Sequence, residues 1–176
     1  MNIDEEVEAV GGGHNWLREG RYLCQIAGME EVFNSKSGNH GVQFILQAAE
    51  GKTKQALWLK GNCLWTWQVF AKACGVDEDT RHNMPLEYNE ANLIQLTQSL
   101  DDEKKAKAQC QVVVGNWPRL EGIFMHRKVG AVVEDGPPSK KDNKVYGRVA
   151  QLFELTPDDV AKVAEAIPIE DDDIPF

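Results

Sequence analysis

Apolar and polar positions alternate with a period of two over much of the first third of the chain. Arg21–Phe33, entered through Gly20, is rich in Tyr, Leu, Ile, Val and Phe and predicts a strand. Asn34-Ser35-Lys36-Ser37-Gly38-Asn39 is a turn cluster. Gly41–Ala49 sets Val42, Phe44, Leu46 and Ala48 against Gln43, Ile45 and Gln47, a half-buried second strand. Glu50-Gly51-Lys52 turns the chain into a third strand, Thr53–Lys60. The short connections make these three a meander.

The period then changes. Asn62 caps a predicted helix running to about Cys74, with Cys63, Trp67, Phe70, Ala71 and Cys74 on one face and Gly75 ending it. A loop follows over 76–88. A second helix is predicted over Asn89–Ala108, striped by Leu93, Leu96, Thr97 and Leu100. Strand character returns at Cys110–Trp117 and Gly122–Glu134, and a last strand spans Val145–Leu155 after a basic loop over Asp135–Lys144. Thr156-Pro157-Asp158-Asp159 is a helix start, with Thr as cap, Pro in the first turn and acids at the positive helix end. The expected organisation is a flexible acidic leader (1–13, ending in three glycines), a β-rich body (14–155), a short helix (156–167) and a disordered acidic tail (168–176).

Charge changes this picture. The net charge is −9, which argues against a polyanionic partner. Its distribution argues otherwise. Residues 1–13 carry four acids and no base; residues 155–176 carry seven acids and one base. The 17 acids and 18 bases between them leave the body at +1. No apolar run is long enough to span a membrane and the leader lacks a signal-peptide core, so a cytoplasmic setting is expected. Four cysteines in 176 residues are not a disulfide scaffold.

The last six residues, Asp171-Asp172-Asp173-Ile174-Pro175-Phe176, are the sharpest motif. The Phe176 ring suits an apolar pocket and its carboxylate a basic nest, while Pro175 keeps Ile174 extended. The aspartates would steer encounter with a basic rim. These residues resemble, position for position, the acidic C-terminal tip of bacterial single-stranded-DNA-binding proteins. A second resemblance covers about residues 16–75. Gly20-Arg21-Tyr22, Ile26, Glu30, Ser35-Lys36-Ser37-Gly38 and the Val42-Phe44-Leu46 strand look like a phage family, formerly a domain of unknown function, that resembles single-stranded-DNA-binding proteins. Together they imply a mainly β fold: an OB-like, partly open barrel with a helix after strand 3, an inserted second helix, a short C-terminal helix and an acidic tail.

Single strands are held by basic grooves and by aromatic rings on which bases stack. Alternation on the third strand separates Leu57 and Leu59 from Lys54, Ala56, Trp58 and Lys60, and the second set interleaves lysines with a Trp. Tyr146 and Arg148 lie on the last strand beside Lys140 and Lys141; Trp117 and Arg119 end the fourth strand; Arg127 and Lys128 lie on the fifth. Trp65, Trp67 and Phe70 are expected to pack in the helix. Trp16 either joins the groove or covers it. His40 is expected in a solvated turn.

Enzyme signatures fail on spacing. Gly51-Lys52-Thr53 resembles the end of a P-loop, but position 46 is Leu where that motif needs Gly. Cys63, Cys74, His82 and Cys110 contain no C-x₂₋₄-C pair, so no metal or cofactor is expected. The acids Asp77, Glu78, Asp79, Asp101, Asp102 and Glu103 fit caps and solubility better than a two-metal nuclease. The expectation is a non-enzymatic phage protein of DNA replication, recombination and repair. Its body would bind single-stranded DNA without sequence preference. Its tip would recruit host proteins, by resemblance clamp-loader, primosome, recombination-mediator and exonuclease components. The same resemblance raises a homo-oligomer as an option. The alternative is an adaptor that captures tip-reading host enzymes without useful DNA affinity, favoured by the near-neutral body.

Overall fold

The computed structural model describes residues 16–34, 37–87, 89–91, 93–94 and 116–167. Five strands form in chain order: β1 (Gly20–Asn34), β2 (Asn39–Ala48), β3 (Gly51–Trp58), β4 (Lys128–Asp135) and β5 (Gly147–Phe153). They pair antiparallel in the order β3-β2-β1-β4-β5. The edge strands β3 and β5 approach one another without closing the sheet. The architecture is mainly β, an unclosed five-stranded antiparallel sheet with a few helices, compatible with the open OB-like barrel that the resemblance implied.

One side of the sheet builds the core. Cys24 and Ile26 of β1, Val42, Phe44 and Leu46 of β2, Leu57 of β3, and Val129, Ala131 and Val133 of β4 are all buried. An extra residue in β1, Ala27, breaks the register between Ile26 and Gly28. This bulge lets Met29 and Glu31 share the core side with Ile26 although they follow it by odd numbers of residues, three and five.

Helices cover the core side of the sheet. A 3-10 turn (Gly61–Cys63) leads into α1 (Leu64–Ala73). Trp67, Phe70 and Ala71 recur at helical spacing and are buried. Gly75, at φ +75°, ends α1: its N–H donates to Lys72 O, and Val76 N–H donates to Ala71 O, a Schellman closure. Phe44 is the hub where helices meet sheet, with ring centroids 4.6 Å from Phe70, 5.2 Å from Phe124 and 5.9 Å from Trp67. The Trp67 indole also donates to Trp58 O at 3.1 Å, tying α1 to the end of β3.

Several local expectations are corrected. The loop over 76–88 contains a helix, α2 (Glu78–His82), capped by Asp77, whose side chain accepts from Thr80 N. That bond and the Thr80 hydroxyl hold the Asp77 carboxyl below its ordinary range. Trp117 does not end a strand; it begins α3 (Trp117–Phe124), where Pro118 sits in the first turn that tolerates it. The predicted strand over 122–134 therefore loses residues 122–124 to α3, which buries Leu120 and Phe124, and residues 125–127 to a connection, so β4 begins only at Lys128. Of the helix predicted over 89–108, residues 90, 91, 93 and 94 are helical and residue 89 is not; residues 92, 95–108 and 110–115 lie outside the described residues. The last helix, α4 (Pro157–Ala166), starts as predicted, with the Thr156 side chain accepting from Asp159 N at 3.2 Å. Trp65 does not pack: it is 66% exposed. His40 is not solvated: it sits buried on β2, its Nε2 3.3 Å from Glu31 Oε1.

Candidate nucleic-acid interface

The outward side of the sheet divides into two parts. Over β1, helix α4 lies close: Val163, Ala166 and Ile167 line a small cavity with Arg21, Leu23 and Ala49. On the β4–β5 side, the Phe153 ring covers Gly130, and Arg21 stacks 3.9 Å from its centroid. The outward side of β2 and β3 carries no such cover among the described residues.

Cross-strand register defines that open face. Lys52 lies opposite Gln47, Lys54 opposite Ile45, Ala56 opposite Gln43 and Trp58 opposite Gly41. Lys54 is exposed, and Lys52 and Trp58 are half-buried. Gly41 is required here: a Cβ would fall 2.4 Å from Leu57 O and 2.9 Å from the Trp58 ring, so the indole lies against bare backbone. The Gln43 amide donates to Glu30 Oε1 at 2.7 Å, tying up the nearest acid on β1. Lys60 follows the strand and is exposed.

Residues 16–19 add to this face. Leu17 N–H donates to Lys52 O at 2.9 Å, and Trp16 forms a parallel bridge with Lys52, extending the sheet past the β3 edge. The ammonium groups of Lys54 and Lys52 stand 5.0 and 5.2 Å from the Trp16 ring centroid. Each such contact is worth about 0.5–1 kcal/mol at an exposed site. On the other flank, Leu17 O abuts Gly147 so closely that a Cβ there would come within 2.1 Å of it. The segment therefore occupies the seam between the starts of β3 and β5. Arg18 then clasps Asp135 at the end of β4, with Nε–Oδ1 at 2.9 Å and Nη2–Oδ2 at 3.0 Å. Glu19 N–H donates to the same carboxylate at 3.0 Å, and the Tyr22 hydroxyl donates to Arg18 O at 2.9 Å. Bonding to Arg18 and Glu19 holds the Asp135 carboxyl below its ordinary range and raises Arg18.

The β4–β5 loop stands at this same end of the barrel. It is folded on itself: Ser139 N donates to Lys144 O, Asn143 N to Ser139 O, and the Tyr146 hydroxyl to Asp142, whose carboxyl is thereby lowered. Lys140 and Lys141 are exposed at its tip, and Tyr146 is 42% exposed. Arg148 is exposed beside Gly147 and faces Glu134 across the β4–β5 pair.

Of the residues singled out in the sequence, Lys54, Trp58 and Lys60 thus share β3 and its end, while Tyr146, Arg148, Lys140 and Lys141 flank the seam. Trp117, Arg119 and Arg127 belong to the helical layer instead. Trp117 packs against the core, and Arg119 donates to Asn83 O at 3.3 Å. Arg127 donates to Ile123 O at 2.8 Å and Gly75 O at 3.2 Å, capping the ends of α3 and α1. Sequence reasoning missed Lys52, because the predicted strand begins at Thr53, two residues after β3 does, although Lys52 continues the Lys54, Ala56, Trp58 alternation. Residues 171–176, the predicted partner-binding tip, lie outside the described residues.

Among the described residues no cluster of His, Cys, Asp and Glu could hold a metal ion, and no helix is long and apolar enough to cross a membrane. No protein-family model and no curated protein matches the chain.

Proposed function

We propose that this chain is a non-enzymatic, sequence-independent single-stranded-DNA-binding protein. The observation that carries the reading is the open β2–β3 face, where Lys52 and Lys54 share one side of β3 with Trp58 and stand beside Trp16, and exposed Lys60 follows the strand. Aromatic rings of this kind stack any base, and the lysines meet phosphates without reading sequence. The basic β4–β5 loop extends the surface across the seam. The terminal residues Asp171–Phe176, by their resemblance to the bacterial tip, recruit host replication and repair proteins of the bacterial cytoplasm in which a phage protein would act.

Titration with oligo-dT, followed by intrinsic tryptophan fluorescence, tests this. Quenching by single strands that exceeds quenching by duplex and weakens with salt is the expected result. No binding at low salt overturns it and leaves the adaptor reading, which the +1 charge of residues 14–154 favours.

A further inference from the structure

We propose that the Arg18–Asp135 clasp is a positioning device for nucleic acid, holding Trp16 at the barrel seam where its ring stacks on a base while Lys52 and Lys54 take phosphates. The inference rests on the single-strand-binding reading and assigns a role to an acid within a surface meant for a polyanion.

Among the described residues, Trp16 meets Lys52 and Lys54. Residues 16–19 make a single bridge to β3, through Lys52. Beyond it, Leu17 is buried in the seam, and the chain is then caught at Asp135 by the Arg18 fork and the Glu19 N–H. With both oxygens of Asp135 engaged, the segment is held at its two ends, and the indole stands over the lysines at its start. A ring already in place gives up less conformational freedom when a base arrives. The two ammonium groups beside it repel each other, and a phosphate relieves that repulsion with a charge-assisted bond stronger than either contact with the ring. Lys52 and Lys54 would then turn from ring to phosphate and leave indole surface to the base.

Charge alone and positioning predict opposite signs for one substitution. Asp135→Ala removes a negative charge, so electrostatics alone makes DNA binding tighter. If Asp135 positions Trp16, the same change makes binding weaker. Glu134→Ala is the charge-matched control: it removes the same charge one residue away, with no contact to the segment. The expected result is oligo-dT affinity about tenfold weaker for Asp135→Ala, the loss of most of one stacked base, with equal or tighter binding for Glu134→Ala. Arg18→Ala should show a loss of similar size. Because the clasp acts through the indole, adding Asp135→Ala to Trp16→Ala should weaken affinity no further, leaving it equal or tighter as with Glu134→Ala. Asp135→Ala binding as tightly as Glu134→Ala, or costing as much without Trp16 as with it, overturns the inference while leaving single-strand binding intact. Absence of binding by the unaltered protein overturns both.

Discussion

Replacing Lys52, Lys54 and Lys60 together by Ala should flatten the salt dependence of single-strand binding. Each lysine that neutralises one phosphate contributes about 0.7 to the slope of log affinity against log salt. Three contacts give a slope change of about 2. Between about 50 and 200 mM salt, the unaltered protein should then lose about 20-fold more affinity than the triple variant. The three side chains differ in burial, since Lys54 and Lys60 are exposed and Lys52 is half-buried, so thermal melts of the triple variant accompany the titrations. Fluorescence titration with oligo-dT at four or more salt concentrations reads the slope directly. Arg127→Ala is the contrast, because its guanidinium is bonded to Gly75 O and Ile123 O rather than presented to solvent on β3. Its slope should match that of the unaltered protein. An unchanged slope in the triple variant, or an equal fall for Arg127→Ala, refutes the placement of phosphates on β3.

Three further outcomes are expected. His40→Ala leaves the Glu31 side chain, 1% exposed, without its imidazole neighbour, and urea unfolding should show a loss of about 1–3 kcal/mol, whereas replacing both residues by leucine should cost less. Gly147→Ala drives a methyl into Leu17 O and should destabilise by about 1–3 kcal/mol, with Trp16 fluorescence shifting because the seam must widen. Burial pushes the Cys24 and Cys74 thiols up to about 12, so iodoacetamide at pH 8 should leave both unmodified in the native protein, as peptide mass spectrometry would show.

The β-meander was readable because β2 and the start of α1 carry unambiguous periods: Val42, Phe44 and Leu46 at two, then Trp67, Phe70 and Ala71 at helical spacing. The stretch 117–127 was misread because Trp117, Ile123 and Phe124 suit a strand as well as a helix. What decides for helix is tertiary: Leu120 and Phe124, four residues apart, both reach the core. His40 was misplaced because its partner is Glu31 on another strand, and a local turn signal cannot show a pairing across the hairpin. On the candidate site, the alternation placed Lys54 and Trp58 on one face, but a period cannot show which sheet face stays open. That depends on where α4 and Phe153 settle. The role of residues 16–19 was hidden for the same reason, since the seam they fill exists only after β3 and β5 have been brought together.

The acidity of the whole chain does not oppose the proposed function. None of the outward positions on β2 (Asn39, Gly41, Gln43, Ile45, Gln47) or β3 (Lys52, Lys54, Ala56, Trp58) is acidic, and the nearest β1 acid, Glu30, accepts from Gln43. The surplus of acids lies in residues 1–13 and 155–176. At physiological salt, charges separated by more than about 8 Å are largely screened, so a strand lying on β3 responds to the lysines beside it more than to the total of −9. The two views differ in sign. If net charge governed the encounter, DNA would be repelled, and raising salt would relieve the repulsion and strengthen binding. If the β3 face governs it, phosphate contacts release counterions and raising salt weakens binding. Affinity that rises with salt would therefore place the DNA somewhere other than on these lysines, whatever its absolute strength.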